Sequence, residues 1–157
     1  MKVVDAMMGT PYYCQPGSNL GSATELMWKG NCGFLPVVGP DGKVAGVLTD
    51  RDVCIALGTR GRPSGQVLVA DVMSKKVHVC TPDEDVKIAL AAMREGRVRR
   101  LPVVTKQGAL VGVISVDDIL LRASSGAGSI SSEDIVNAFR AINTHELSLV
   151  ASKQATA

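Results

Sequence analysis

The sequence predicts an α+β fold: two β-α-β-β-α repeats packed about a pseudo-twofold axis, followed by a C-terminal helix. Three observations carry that expectation. The first is a gapless internal repeat with a period of 66 residues. It lays Asp5 and Met7 on Asp71 and Met73, Leu35-Pro36-Val37-Val38 on Leu101-Pro102-Val103-Val104, and Gly46-Val47-Leu48-Thr49 on Gly112-Val113-Ile114-Ser115. Fifteen identities fall between 4–56 and 70–122 in that one register. The second is the alternation, within each copy, of short β-branched runs with helix-period stripes. The third is a separate apolar stripe beyond the second copy. Two copies, with a period longer than that of common solenoids, favour a closed pair over an open array.

The elements follow in order. Val77–Cys80 reads as a strand that ends at Thr81-Pro82, because proline cannot donate to the ladder. Asp85, and Asn19 in the first copy, are N-cap residues for the next helix. Val86, Ala89, Leu90 and Met93 then recur at i, i+3, i+4 and i+7 and form one buried face. Leu101–Val104 and Leu110–Ile114 form a hairpin around Lys106-Gln107-Gly108, matched in the first copy by the turn Pro40-Asp41-Gly42-Lys43. A second helix starts at Val116, and its counterpart near Asp50. Gly58–Gln66 reads as an exposed connector and Ser124–Ser129 as a flexible joint. Ser131 or Ser132 caps a last helix with Glu133 and Asp134 in its first turn. That helix, expected over 132–147, carries Ile135, Ala138, Phe139 and Ile142 on one face, with Ile135, Phe139 and Ile142 expected at a subunit contact. The last residues, 152–157, look frayed. Residues 1–60 and 61–123 are thus read as the two repeats, and 124–157 as linker plus amphipathic helix.

Composition narrows the function classes. Of 157 residues 46% are apolar and 20% charged, ordinary for a globular chain that can bury a core. Seventeen basic against fifteen acidic side chains leave +2, too balanced for a nucleic-acid coat. The two Phe, two Tyr and single Trp offer few rings for base stacking. No apolar run has the length of a membrane span, and Met1-Lys2-Val3-Val4-Asp5 lacks a secretory apolar region, so a cytoplasmic location is expected. Cys14, Cys32, Cys54 and Cys80 form no CxxC pair, and His78 and His145 have no zinc-ligand spacing. All four thiols are expected as small buried hydrophobes. No Ser/His/Asp or Cys/His arrangement can be assembled, and Asp83-Glu84-Asp85 is a helix start, not an acid/base pair. The chain is therefore expected to sense rather than transform.

The chemistry concentrates in Gly46-Val47-Leu48-Thr49-Asp50-Arg51-Asp52 and Gly112-Val113-Ile114-Ser115-Val116-Asp117-Asp118. Each carries a hydroxyl at a strand-to-helix junction and an acid three residues later. Such a pair can simply cap a helix. It can also serve a ligand: helix-start N–H groups with a hydroxyl suit phosphate, and the acid can accept hydrogen bonds from a sugar diol. The doubling of the motif favours the ligand. So does a glycine before each strand end, where the backbone is expected to approach a ligand closely. So does Arg97-Val98-Arg99-Arg100, whose guanidinium groups suit phosphate.

The Asp-x-Met opening, the Leu-Pro-Val-Val strand and the Gly-apolar-apolar-Thr/Ser-x-x-Asp ending, repeated in order over about residues 3–122, resemble a tandem pair of cystathionine-β-synthase (CBS) domains of the stand-alone bacterial type. The resemblance implies a regulatory module whose repeats pack sheet to sheet and leave two clefts for adenosine ligands such as AMP, ATP, S-adenosylmethionine or NAD. It implies further a homodimer acting on a separate regulated protein, with no membrane or nucleic-acid partner. Carried over, Asp52 and Asp118 would bind ribose, and Thr49 and Ser115 the phosphates. Arg99-Arg100-Leu101-Pro102-Val103-Val104 resembles the phosphate-binding strand of the nucleotide-sensing subunit of AMP-activated kinase. Tyr13-Cys14 and Val79-Cys80-Thr81 would line an adenine slot. Asn31-Cys32-Gly33-Phe34 replaces the arginine stretch in the first copy, where Arg51 could partly compensate. The other expectation is a structural interaction module with empty clefts.

Overall fold

The computed structural model describes residues 1–124 and 130–144. In the first repeat α1 (Leu20–Lys29), β1 (Phe34–Val38), β2 (Val44–Thr49) and α2 (Asp50–Arg60) follow one another. The second repeat has α3 (Val86–Gly96), β3 (Arg100–Val104), β4 (Leu110–Ser115) and α4 (Val116–Ser124), and α5 (Ser132–Asn143) comes last. The two antiparallel hairpins share one register. Phe34 faces Thr49 as Arg100 faces Ser115, and each ladder slips at the same place, between Val37 and Val38 and between Val103 and Val104. Asn19 and Asp85 cap α1 and α3 by accepting from the Ser22 and Lys87 N–H groups.

The expected strand at Val77–Cys80 is reduced to one bridging residue. Cys80 donates to the Pro102 carbonyl at 3.2 Å and accepts from the Val104 N–H at 2.9 Å. In a parallel ladder the next donors would be residue 82, towards Val104, and residue 102, towards His78. Both are prolines without an N–H, so the ladder stops on either side. Cys14 is bounded identically by Pro16 and Pro36, and bridges only Val37.

Two cores form, one per repeat, and each borrows a segment from the other half of the chain. Val3 is fully buried among Val86, Leu90, Met93 and Ile119 of the second repeat. Val67 and Val69 are fully buried among Leu20, Leu35 and Leu48 of the first. The exchange obeys the repeat symmetry bond by bond. The Val3 and Val4 N–H groups donate to Glu84 and Pro82, and those of Val69 and Ala70 to Ser18 and Pro16. Met8 exchanges two hydrogen bonds with Val113, and Ser74 two with Val47. Val3 and Val69 thus each anchor a segment that crosses the axis, so the repeats share stability.

Three further expectations are corrected. The connector is shorter than Gly58–Gln66, because α2 runs on to Arg60 and stops at Gly61 in the left-handed region (φ 59°); Ser64–Gln66 adds a 3₁₀ turn. Only Cys14 and Cys80 are buried; Cys32 is half-buried and Cys54 exposed, since α2 turns Val53 and Ala56 inward and its neighbour Cys54 away. Ile135, expected at a subunit contact, is instead buried within its own chain. Ile135 and Ala138 are buried in the second core, with Phe139 and Ile142 packed against it. Ser131 caps this helix in a reciprocal box with Asp134. The helix ends at Asn143; its expected extension to 147, the joint at 125–129 and the end at 152–157 lie outside the described residues.

Candidate functional site

At each strand-to-helix junction the expected hydroxyl and acid meet. Thr49 N–H and Oγ1 donate to Asp52 Oδ2 at 2.9 and 2.6 Å, while Asp52 N–H donates back to Thr49 Oγ1. Ser115 and Asp118 repeat the arrangement, with Ser115 N–H donating at 2.8 Å. These are capping boxes, and they absorb one carboxylate oxygen in each repeat. The other oxygen, Oδ1, accepts no hydrogen bond among the described residues.

The preceding glycines have a different task from the one expected of them. A Cβ on Gly46 would lie 2.8 Å from both Met73 Sδ and the Ser74 carbonyl. On Gly112 it would lie 2.8 Å from Met7 Sδ and the Met8 carbonyl. The close approach is made by the exchanged Asp-x-Met segments, not by a ligand. That explains why Asp-x-Met and the strand glycine recur together.

The expected site residues are distributed over several surfaces. A cleft of about 510 Å³ between the repeats is lined by Thr49, Asp50 and Arg51 from the first and by Arg97, Arg99 and Arg100 from the second. Gly33 and Phe34 face Arg99 and Arg100 across the axis, being their repeat equivalents. Four arginines against one carboxylate give this cleft a predominantly basic lining. Arg97 reaches it from the left-handed region (φ 51°), the C-cap conformation that turns α3 into β3. Arg99 donates from Nη2 to Asn143 Oδ1 at 2.8 Å, linking the cleft to α5.

Asp118 lies elsewhere, in a depression of about 460 Å³ with Met7, Met8, Leu121 and Arg122. Asp52 borders a smaller one, about 200 Å³, with Asp71, Arg60 and Thr59. These two are related by the repeat offset. Tyr13 is exposed beside Val38, Leu110 and Val111 in a further hollow of about 440 Å³. Cys14 and Cys80 have their backbone groups committed to β1 and β3, and Thr81 N–H donates to Glu84 Oε2. Burial pushes the Cys14 thiol up to about 11 and, with Glu84 nearby, that of Cys80 up to about 12. Val79 is exposed, whereas Leu101, Pro102 and Ser115 are buried. Asp50, Met7 and Met8 line these surfaces without a local sequence signal that singles them out; the repeated Asp-x-Met is visible along the chain, but not that it crosses to the other repeat. Among the described residues no three His, Cys, Asp or Glu are grouped to hold a metal ion, and no helix is long and apolar enough to cross a membrane.

A family model described as the CBS domain matches residues 3–59 and again 69–125. The chain belongs to the CBS-domain proteins. It carries the domain as a tandem pair. The CBS domain-containing protein YhcV of Bacillus subtilis is 34% identical over 129 residues, covering 81% of this chain and 90% of its own. Among solved structures, the conserved CBS domain protein TA0289 from Thermoplasma acidophilum superposes with a TM-score of 0.76 at 22% identity, over 92% of this chain and 77% of that one. The CBS pair of protein MJ0100, in complex with 5-methylthioadenosine and S-adenosyl-L-methionine, gives 0.71 at 24%, over 82% and 98%. At these identities the two structures establish the shared fold.

Proposed function

We propose that this CBS pair is a regulatory sensor of an adenosine phosphate of the AMP or ATP kind, read out by a separate protein through the shape of a homodimer. The observation that carries the reading is the axial cleft. Arg51, Arg99 and Arg100 line a volume of about 510 Å³ there, beside the Thr49 helix start. In the separate depression that Asp118 shares with Met7 and Met8, its Oδ1, which accepts no hydrogen bond among the described residues, suits a ribose diol. The adenosine ligands of the MJ0100 pair support the ligand class. S-Adenosylmethionine and NAD are the alternatives to test beside AMP and ATP. A ligand controls shape only through unequal affinity for two dimer arrangements. In this reading the protein works in the cytoplasm and catalyses nothing.

Calorimetry with AMP and ATP tests the reading. Arg100→Ala should lose about 1.5–3 kcal/mol, roughly tenfold or more in affinity, if the phosphate is held by a charge-assisted pair. Equal affinities for wild type and variant would take Arg100 out of the site. A second reading rests on the capping boxes: with Asp52 and Asp118 already bonded to Thr49 and Ser115, the module can be purely structural. It predicts no thermal shift with AMP, ATP, S-adenosylmethionine or NAD, whereas a ligand at about 100 times its Kd adds roughly 2.7 kcal/mol.

A further inference from the structure

The axial cleft straddles the pseudo-twofold axis, yet its charge obeys no twofold. Both members of two equivalent pairs line it, Gly33 with Arg99 and Phe34 with Arg100. The rest of the lining is one-sided. The first repeat contributes its strand-to-helix junction, Thr49 to Arg51, and the second its turn at Arg97 and Val98. The equivalents of those segments, Ser115 to Asp117 and Asn31-Cys32, do not line the cleft. The repeat offset sets a neutral or acidic residue opposite every arginine: Asp117 for Arg51, Asn31 for Arg97, Gly33 for Arg99 and Phe34 for Arg100. The backbone gives no reason for an arginine at 97. Asn31 and Arg97 share the left-handed conformation, with φ of 46° and 51°. Asparagine enters that region readily and arginine does not. The first repeat carries the residue that suits the turn; the second carries one that suits an anion.

We propose that the axial cleft holds one oligophosphate per chain, an anion with two or more linked phosphate groups gripped by both repeats at once. The inference rests on the reading of this cleft as the sensor's ligand site. The number of arginines sets the ligand class. A terminal phosphate has three free oxygens, which two bidentate guanidinium forks occupy, and it carries about −1.5 to −2 at pH 7. Four arginines opposed only by Asp50 exceed what a single phosphate engages or neutralises. A linked second phosphate supplies the missing oxygens and charge. Arg99 spends one N–H on Asn143 and has further donors for an anion. The one-sided charge sets the stoichiometry. At the equivalent junction Asp117 stands in place of Arg51, and a carboxylate there repels a second phosphate. Arg51 belongs to the first repeat and Arg97, Arg99 and Arg100 to the second, so neither repeat forms the site alone.

Calorimetry on the full-length protein in buffer free of divalent cations tests this, with orthophosphate, pyrophosphate, AMP and ATP as probes. Pyrophosphate should bind at least about tenfold more tightly than orthophosphate, ATP at least about tenfold more tightly than AMP, and each at one per chain. Arg51→Asp and Arg97→Asn each install the residue that the other repeat carries, and each should weaken pyrophosphate and ATP by about tenfold or more. Arg97→Asn should do so without lowering Tm, because asparagine suits the turn; this keeps the test sound if Arg51→Asp folds poorly. Asp117→Ala should bind within about twofold of wild type, since its side chain lies outside the cleft. The proposal is overturned if the linked phosphates bind no better than the single ones, if two ligands bind per chain, or if folded Arg97→Asn binds as wild type does. AMP binding that still depends on Arg100 would then leave the adenosine reading standing. It is overturned as well if pyrophosphate and ATP at about 1 mM give neither heat nor thermal shift. Pyrophosphate held with these arginine dependences, while no adenosine ligand binds, would uphold the oligophosphate site and remove the adenosine reading instead.

Discussion

Replacing Gly112 or Gly46 by alanine probes the exchange of segments between the repeats. The new methyl on Gly112 would stand 2.8 Å from the Met8 carbonyl and from Met7 Sδ. Ordinary contacts begin near 3.4 Å, so the neighbours must retreat by about half an ångström. Met7 can change rotamer, but the Met8 carbonyl cannot move alone. It accepts from Val113 N–H at 3.0 Å, and the Met8 N–H donates to the Val113 carbonyl at 2.8 Å. The insertion therefore loads a backbone bridge that anchors the whole N-terminal segment, including the buried Val3. Overpacking of this kind costs about 1–3 kcal/mol. At this chain length that lowers Tm by roughly 2–4 °C per kcal/mol. Gly46→Ala should cost about the same, because Met73 and Ser74 meet it at the same distances. Gly58→Ala supplies the opposite sign: it lies in α2 with nothing within 4 Å of the added carbon, and should stabilise by about 0.5–1 kcal/mol. Urea unfolding of the three variants decides the matter. Gly46→Ala and Gly112→Ala both within about 0.5 kcal/mol of wild type would refute the exchanged packing.

Other outcomes follow from the same structure. Ile135→Ala should cost about 2–5 kcal/mol by opening a cavity under α5, whereas the half-exposed Val136→Ala should stay within about 0.5 kcal/mol; equal effects in urea melts would mean that α5 is not seated on the second core. Iodoacetamide at pH 8, followed by mass spectrometry, should modify Cys54 first and spare Cys14 and Cys80, whose burial raises them to about 11 and 12; rapid labelling of Cys80 would contradict that burial. The Asp85 carboxyl is held below its ordinary value chiefly by the Lys87 N–H, and that of Asp134 chiefly by the Ser131 N–H, with its hydroxyl adding to this. Lowered folded values mean that the stability these caps contribute is complete above the unfolded value near 3.9 and is lost as pH falls through the folded ones. The urea midpoint should therefore drop below about pH 4, less so in Asp85→Asn and Asp134→Asn; identical acid dependence in those variants would exclude the caps as its source.

Much of this fold was written along the chain. The 66-residue offset, the caps at Asn19, Asp85 and Ser131, and the stripe Val86, Ala89, Leu90, Met93 are local signals, because caps and helix faces depend on residues within a turn of one another. Pro82 marks the end of that first strand along the chain; Pro102, with Pro16 and Pro36 in the first copy, completes the reason it collapses to a single bridge. The hydroxyl–acid pairs were equally legible as caps. The doubling of the motif also raised a ligand role; which carboxylate oxygen the caps leave over, and which cavity it borders, depends on the tertiary structure.

By itself, the order of residues determined the two copies, their hairpin register and the family to which they belong. Only the tertiary structure decided that Asp5-Ala6-Met7 and Asp71-Val72-Met73 cross to the opposite repeat, that four arginines share one cleft while Asp118 faces another, and that α5 covers the helix pair of the second repeat. The reason is physical. Secondary structure and capping are set by near neighbours, whereas a duplicated chain can close its cores with either copy of an equivalent segment, and the choice between them rests on contacts 27 to 105 residues apart, from Val47–Ser74 to Met8–Val113.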